Sequence, residues 1–268
     1  MSRRSKIILA ALLALAILFC FIGNELLVTR SYEISDEKIP ESFDGFRIVQ
    51  LTDYHTKHTF LGHLCDKVRA ESPDIIVVTG DIIDSSRTDI EQALEFADGL
   101  TEIAPVYYVT GNHELHLSDK EYSELLGGLR ERGVICLCNE SVTLEAGGDE
   151  ITLIGLDGSG TEELSRLSAE ANNSFRVVLS HYPENVEQYR TSGAELILTG
   201  HAHGGQIRIP FTDIGFFSPG EGFFPEYTRG LYELGDTRML VSAGVGNSSA
   251  PVRIFDPPEI VSLTLKGK

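Results

Sequence analysis

Cysteine is scarce in this 268-residue chain: there are four, and one of them, Cys20, lies in an apolar N-terminal run. The other three, Cys65, Cys136 and Cys138, stand at spacings that do not suggest a disulfide framework. Cys136 and Cys138, in "VICLCN", alternate as on one face of a strand and read as core thiols rather than as a redox or metal pair. Internal repeats and low-complexity stretches are absent. No linker divides residues 31–268, so that stretch reads as one domain, close to the roughly 250 residues that a single α/β domain can reach. Basic residues are also in short supply, with 22 Lys and Arg against 40 Asp and Glu and a net charge of −18. Setting aside residues 1–30 removes four basic residues and one acidic residue and leaves −21. Such a surface repels polyanions and argues against nucleic-acid binding through phosphate contacts. It is better suited to a small anionic group drawn to a local positive centre, such as a metal.

What is present is an ordinary globular composition, 42% apolar and 23% charged, behind an unusual beginning. "MSRRSK" is basic, and residues 7–23, "IILAALLALAILFCFIG", carry no charge and no polar face. The 17-residue run reaches the lower end of the about 17–25 residues needed to span a bilayer. It is long for a signal peptide, and no clear A-x-A cleavage site follows in "GNELLVTR". The expectation is therefore a basic segment and single transmembrane helix over 1–30, with the domain over 31–268. Arg3, Arg4 and Lys6 would hold the N-terminus in the cytoplasm and leave that domain extracytoplasmic. The alternative is export followed by signal cleavage, and "SRRSK" leaves a twin-arginine signal open.

Short apolar, β-branched runs recur along the rest of the chain: 46–53, 74–81, 106–114, 151–158, 176–184 and 195–203. Runs of this kind suit strands buried on both faces. The amphipathic segments 60–71, 88–100, 119–132 and 161–171 between them read as helices. "GLYELGDTRMLVSAG" reads as a hairpin, and "EIVSLTLK" as a last strand. Alternating strand and helix predicts a layered α/β domain, in which ligands bind beyond the carboxyl ends of strands. Nearly every predicted strand ends in a possible metal ligand: Asp53 and His55, Asp81, Asn112 and His113, His181, then His201 and His203. Residues distant in sequence would thus meet on one sheet edge.

These elements, "DYH" 53–55, "GDIID" 80–84, "GNHE" 111–114, "SH" 180–181 and "GHAH" 200–203, resemble in order the motifs of the calcineurin-like metallophosphoesterases. "IPESFDGFRIVQLTD", "GHAHGGQIRIP" and "GVGNSSAPVRIFDPPEI" resemble the membrane-associated or exported bacterial branch of that family. The resemblance implies a β-sandwich flanked by helices and two divalent metal ions. Asp53, His55, Asp81 and His203 would hold the first metal. Asp81, Asn112, His181 and His201 would hold the second, with Asp81 bridging. The mixed nitrogen and oxygen donors suit Mn, Fe or Zn better than Ca. Two such ions would lower the pKa of a bridging water and place phosphorus for in-line attack. His113, not a ligand, would stabilise the transition state or protonate the leaving oxygen.

The implied function is a metal-dependent phosphoesterase, with phosphodiesters preferred over phosphomonoesters and a lipid-linked or cell-envelope phosphate among the candidates. A metal-binding scaffold protein without catalysis is the alternative, although Asp81, Asn112 and His113 are all retained. Asp84 and Glu114 read as partners that orient histidines. His58, His63 and His116 have no motif role, and Thr56 stands where the family more often has glycine or asparagine. The phenylalanine-rich segment 209–227 reads either as a loop packed on the domain or as an aromatic rim over the site.

Overall fold

The apolar runs become two six-stranded sheets. In the computed structural model, which describes residues 2, 4–9, 23–57, 61–158, 160–171, 174–210, 212, 214–247 and 253–268, the strands in chain order begin with β1 (Val28–Asp36), β2 (Arg47–Leu51), β3 (Ile75–Thr79), β4 (Val106–Val109) and β5 (Ile135–Cys136). They continue with β6 (Glu140–Ala146), β7 (Asp149–Gly155), β8 (Phe175–Leu179), β9 (Leu196–Thr199), β10 (Phe217–Ser218), β11 (Gly222–Phe223), β12 (Gly230–Leu234), β13 (Thr237–Val241) and β14 (Glu259–Gly267). One sheet has the order β1-β14-β2-β3-β4-β5 and the other β12-β13-β9-β8-β7-β6, while β10 and β11 pair by themselves. Both large sheets are mixed: β14 lies antiparallel to β2, and β6 antiparallel to β7.

Burial on both faces explains the continuous apolar runs. In β3, Ile75 and Val77 point into the core between the sheets, where Leu153, Val177 and Leu198 meet them. Ile76 and Val78 point the other way, onto Val68, Phe96 and Leu125 of the helices Leu61–Ala70, Ile90–Thr101 and Asp119–Glu131. The outer face of the second sheet packs against Leu164, Leu167 and Tyr189 of the helices Leu164–Glu170 and Val186–Thr191. The result is the predicted sandwich between two helical layers. Helix starts follow local chemistry: the Asp89 carboxylate accepts from Gln92 N, and Ser118 and Glu121 form a capping box.

The hairpin turns at Gly235 and Asp236, with Leu234 opposite Thr237, as read from "LGD". Strands β1 and β6 and the helix Val186–Thr191 were not foreseen. Cys136 is buried and Cys138 partly so, and both are free and packed on the helix-side core, in keeping with core thiols. Residues 10–22 of the apolar run and His58 lie outside the described residues. Among the described residues, no helix is long and apolar enough to cross a membrane.

Candidate metal centre

Each predicted strand stops short of its motif, and the motif residues occupy the turns that follow. Asp53 and His55 follow β2, Asp81 follows β3, Asn112 and His113 open the helical turn Asn112–Leu115 after β4, His181 follows β8, and His201 and His203 follow β9. The backbone bends sharply to aim these side chains. Of eleven described non-glycine residues with positive φ, five are Asp53, His55, Asp81, His201 and His203. Left-handed backbone at such residues costs on the order of 1 kcal/mol or more each, so the surrounding fold must impose it. Backbone bonds do so: Asp53 N donates to Gly80 O, His55 N to Asp81 O, and Gly246 N to Asp53 O. Gly200 and Gly111 let the turns close in. A Cβ on Gly200 would stand 2.6 Å from Asp53 Oδ2, and one on Gly111 2.7 Å from Asp81 N.

Two nests of lone pairs result. In the first, Asp53 Oδ1 lies 3.4 Å from His203 Nε2 and 3.7 Å from His55 Nε2, and the two imidazole nitrogens are 3.4 Å apart. Asp53 Oδ1 is buried and has no hydrogen-bond partner, whereas Oδ2 accepts from His201 N and Thr52 Oγ1. In the second, His181 spends its Nδ1–H on Thr79 O at 2.7 Å, which leaves Nε2 facing Asp81 Oδ2 at 3.2 Å, Asn112 Oδ1 at 3.2 Å and His201 Nδ1 at 3.1 Å. Asp81 Oδ2 also lies 3.9 Å from His55 Nε2, between the two nests. Acceptors aimed at one another are unfavourable unless a cation sits among them. A proton on His181 satisfies one partner at a time, whereas a divalent ion serves all of them. The residues present therefore fit metal ions, and the triads Asp53/His55/His203, His55/Asp81/His113 and Asp81/His181/His201 each bring their donor atoms within 4.8 Å.

Electrostatics divide the imidazoles: the carboxylates beside His181 and His55 favour a proton on them, whereas burial keeps His201 and His203 neutral. Burial lowers the pKa of His181, but Asp81 beside it outweighs this and raises the pKa to about 10. Burial holds His201 down to about 4, helped by His181, and His203 down to about 3 against the opposing pull of Asp53. Both therefore stay neutral, as metal ligation requires. Burial also opposes charge on Asp53 and Asp81, yet the imidazoles around them hold both carboxyls below the usual range.

His113 is set apart. Its Nδ1 accepts from Ser85 N at 3.0 Å, so the ring proton sits on Nε2, 4.0 Å from Asp81 Oδ2. Its own backbone N donates to Asp81 Oδ1 at 2.9 Å. Asp84 lies beside this ring, with Oδ1 3.6 Å from Nδ1. Glu114 departs from expectation, because it orients no histidine. Its fully buried carboxylate accepts from Asp81 N, Ile82 N, Ile83 N and Gly111 N and so pins the Asp81 turn to the Gly111 turn. Burial and Asp81 push its pKa up to about 7, against the pull of those N–H donors. His63 and His116 are exposed, and Thr56 is buried with its N–H on Ile82 O.

Arg253 was missed by strand-end reasoning because it stands in a loop, in "PVRIF". It is among the largest fully buried side chains, and it donates to Ala243 O, Gly246 O and Asn247 Oδ1 and pairs with Asp256. It thereby holds the 243–246 loop against Asp53. Arg253→Met removes those donors and leaves buried carbonyls unpaired, so it is expected to cost about 3 kcal/mol, read as a lower midpoint in denaturant unfolding. A midpoint equal to wild type would remove Arg253 from this role.

A four-layer α/β sandwich whose strand ends converge on carboxylates and imidazoles defines a protein of the metallophosphoesterase class. Residues 46–205 match the family model described as Calcineurin-like phosphoesterase, and the chain belongs to that family. It is 32% identical to the uncharacterized metallophosphoesterase YkuE of Bacillus subtilis over 92% of this chain and 88% of the relative. An uncharacterized metallophosphoesterase of Campylobacter jejuni is 34% identical over 91% of this chain, which spans 66% of that protein's length. Phosphodiesterase YaeI of Escherichia coli is 28% identical over 82% of this chain and 82% of its own. Among solved structures, TT1561 of Thermus thermophilus shares the fold, with a TM-score of 0.53, 13% identity, and 75% of this chain and 90% of that one covered.

Proposed function

We propose that the protein is a binuclear metal-dependent phosphoester hydrolase that acts on phosphodiesters, held at the membrane by residues 7–23 with the domain outside the cytoplasm. The carrying observation is the convergence of carboxylate and imidazole donors around Asp81, which faces both nests. Asp53, His55, Asp81 and His203 would hold one ion, and Asp81, Asn112, His181 and His201 the other. The oxygen and imidazole set suits Mn, Fe or Zn. When bound, two such ions supply an activated water and neutralise phosphoryl charge. The chain's own residues do the rest: His181 is locked in one tautomer by Thr79 O, and His113 presents its Nε2–H to the substrate side. The preference for diesters draws on the relative named a phosphodiesterase.

Metal removal tests this reading. Chelation of the full-length protein should abolish hydrolysis of bis(p-nitrophenyl) phosphate, and Mn, Fe or Zn should restore it, with two ions bound per chain. Two bound ions without turnover of any diester or monoester would identify a binding protein instead.

A further inference from the structure

Beside the metal centre, the chain exposes a cluster of large apolar side chains. Ile207, Ile209, Ile214 and Phe216 are exposed, and Phe223 and Phe224 are more so, at 68% and 64%. They form one patch: Phe216 stacks edge-on to Phe223 at 5.3 Å and to Phe224 at 5.5 Å, and its N–H donates to Ile207 O. Phe224 has φ 56°, a conformation that is strained for an aromatic residue. Phe255, also exposed and at φ 56°, adjoins Ile254, which is bridged to Ile207. The patch is no loose loop, since Gly205 O, two residues beyond His203, accepts from Phe216 N.

The end of the apolar N-terminal run is fastened to the same face. Asn24 Oδ1 accepts from Arg253 N and Asn247 Nδ2, and Asn24 O accepts from Lys57 Nζ. The clamp at Arg253 is one residue from Ile254 and two from Phe255. A bilayer that held residues 7–23 would lie on the Asn24 side of the domain, next to the loop that carries Ile254 and Phe255. Cations are not what would draw it there: Arg229 is paired with Asp256, and the Arg208 guanidinium donates to Gly204 O and Thr228 Oγ1.

We infer that the lip formed by Ile207, Ile209, Ile214, Phe216, Phe223 and Phe224 inserts into the bilayer that holds the N-terminal run, so that the metal centre opens at the lipid–water boundary and its substrate is an amphiphilic phosphoester resident in that bilayer. This deepens the phosphoesterase reading and rests on it for the substrate. Attachment is apolar, so it is insensitive to salt and to anionic lipid.

The chain contains no tryptophan, so one introduced indole reports a single position. Full-length Phe223→Trp protein in phosphatidylcholine vesicles should lose more than half its fluorescence to acyl-chain bromines, at low and high salt alike. Ile135→Trp, at an exposed position on β5, should lose little. Equal quenching at both positions, or none at 223, overturns the inference, as does a dimer that Phe223→Ser abolishes. The double variant Phe223→Ser/Phe224→Ser should cut kcat/KM on phosphatidyl-p-nitrophenol in vesicles about tenfold and that on soluble bis(p-nitrophenyl) phosphate less than twofold. Equal loss on both esters counts against the lip. If wild type hydrolyses neither ester, the phosphoesterase reading fails while quenching still decides the docking.

Discussion

Asp81→Asn is expected to lower kcat/KM on a soluble phosphodiester by about 10³-fold or more and to leave the fold intact. Asp81 is the carboxylate that faces both nests, 3.2 Å from His181 Nε2 and 3.9 Å from His55 Nε2. Asparagine keeps the shape, and its carbonyl can still accept the His113 N–H that Asp81 Oδ1 now accepts. What it lacks is the negative charge that would screen two dications from each other. Metal analysis should therefore show the stoichiometry falling from two to one or fewer. Thermal melting gives a readout independent of turnover. An ion present at a hundred times its Kd would stabilise the wild type by about 2.7 kcal/mol for each site it fills. That amounts to roughly 5–10 °C in Tm for a domain of this size. The variant should gain less than half of the wild-type shift. Full metal content, or turnover equal to wild type, would count against Asp81 as a ligand that two ions would share.

The candidate site was largely legible because strand ends are marked by chemistry. Asp53, Asp81, His181 and His203 each follow an apolar run whose length and β-branching identify it as a buried strand, and a sheet edge gathers whatever follows its strands. Pairwise roles were not legible from spacing. His201 and His203 are two residues apart, yet His203 offers Nε2 to Asp53 and His201 offers Nδ1 to His181. Both residues sit on left-handed backbone after β9, a turn geometry that no hydrophobic pattern encodes. Glu114 was visible as an acid beside a motif, but its partners are backbone N–H groups on another strand's turn, which only the fold reveals. Strand β6 was hidden because its outward face is exposed: "ESVTLEA" has too few apolar residues to stand out, and antiparallel pairing with β7 supports it. Arg253 was hidden for a different reason. A buried arginine is read from sequence as a surface residue, because its solvation is replaced by carbonyls that become neighbours only on folding.

His113→Ala should reduce kcat by about 10²–10³-fold while both metals stay bound, and the pH profile should tell how His113 works. Its Nδ1 already accepts the Ser85 N–H at 3.0 Å, so a second proton there would have to displace that bond. Burial also lowers its pKa, with Asp81 and Asp84 opposing without reversing the shift. Both facts favour a neutral ring that donates a hydrogen bond from Nε2, rather than an imidazolium that gives up a proton. The sign follows: a group whose folded pKa is lowered below about 6.5 is already neutral at pH 7, so raising the pH further removes nothing from it. Wild type and His113→Ala should then run parallel between pH 7 and 9, separated by a constant factor. His113→Gln, which retains an amide N–H donor, should recover about tenfold over alanine. Alkyl and p-nitrophenyl esters should suffer equally, because a donor to a phosphoryl oxygen does not depend on the leaving group. A wild-type activity that declines above pH 7 and a decline absent from His113→Ala would instead assign proton donation to the leaving oxygen. In that case the loss would be larger for the alkyl ester, whose leaving oxygen is the stronger base.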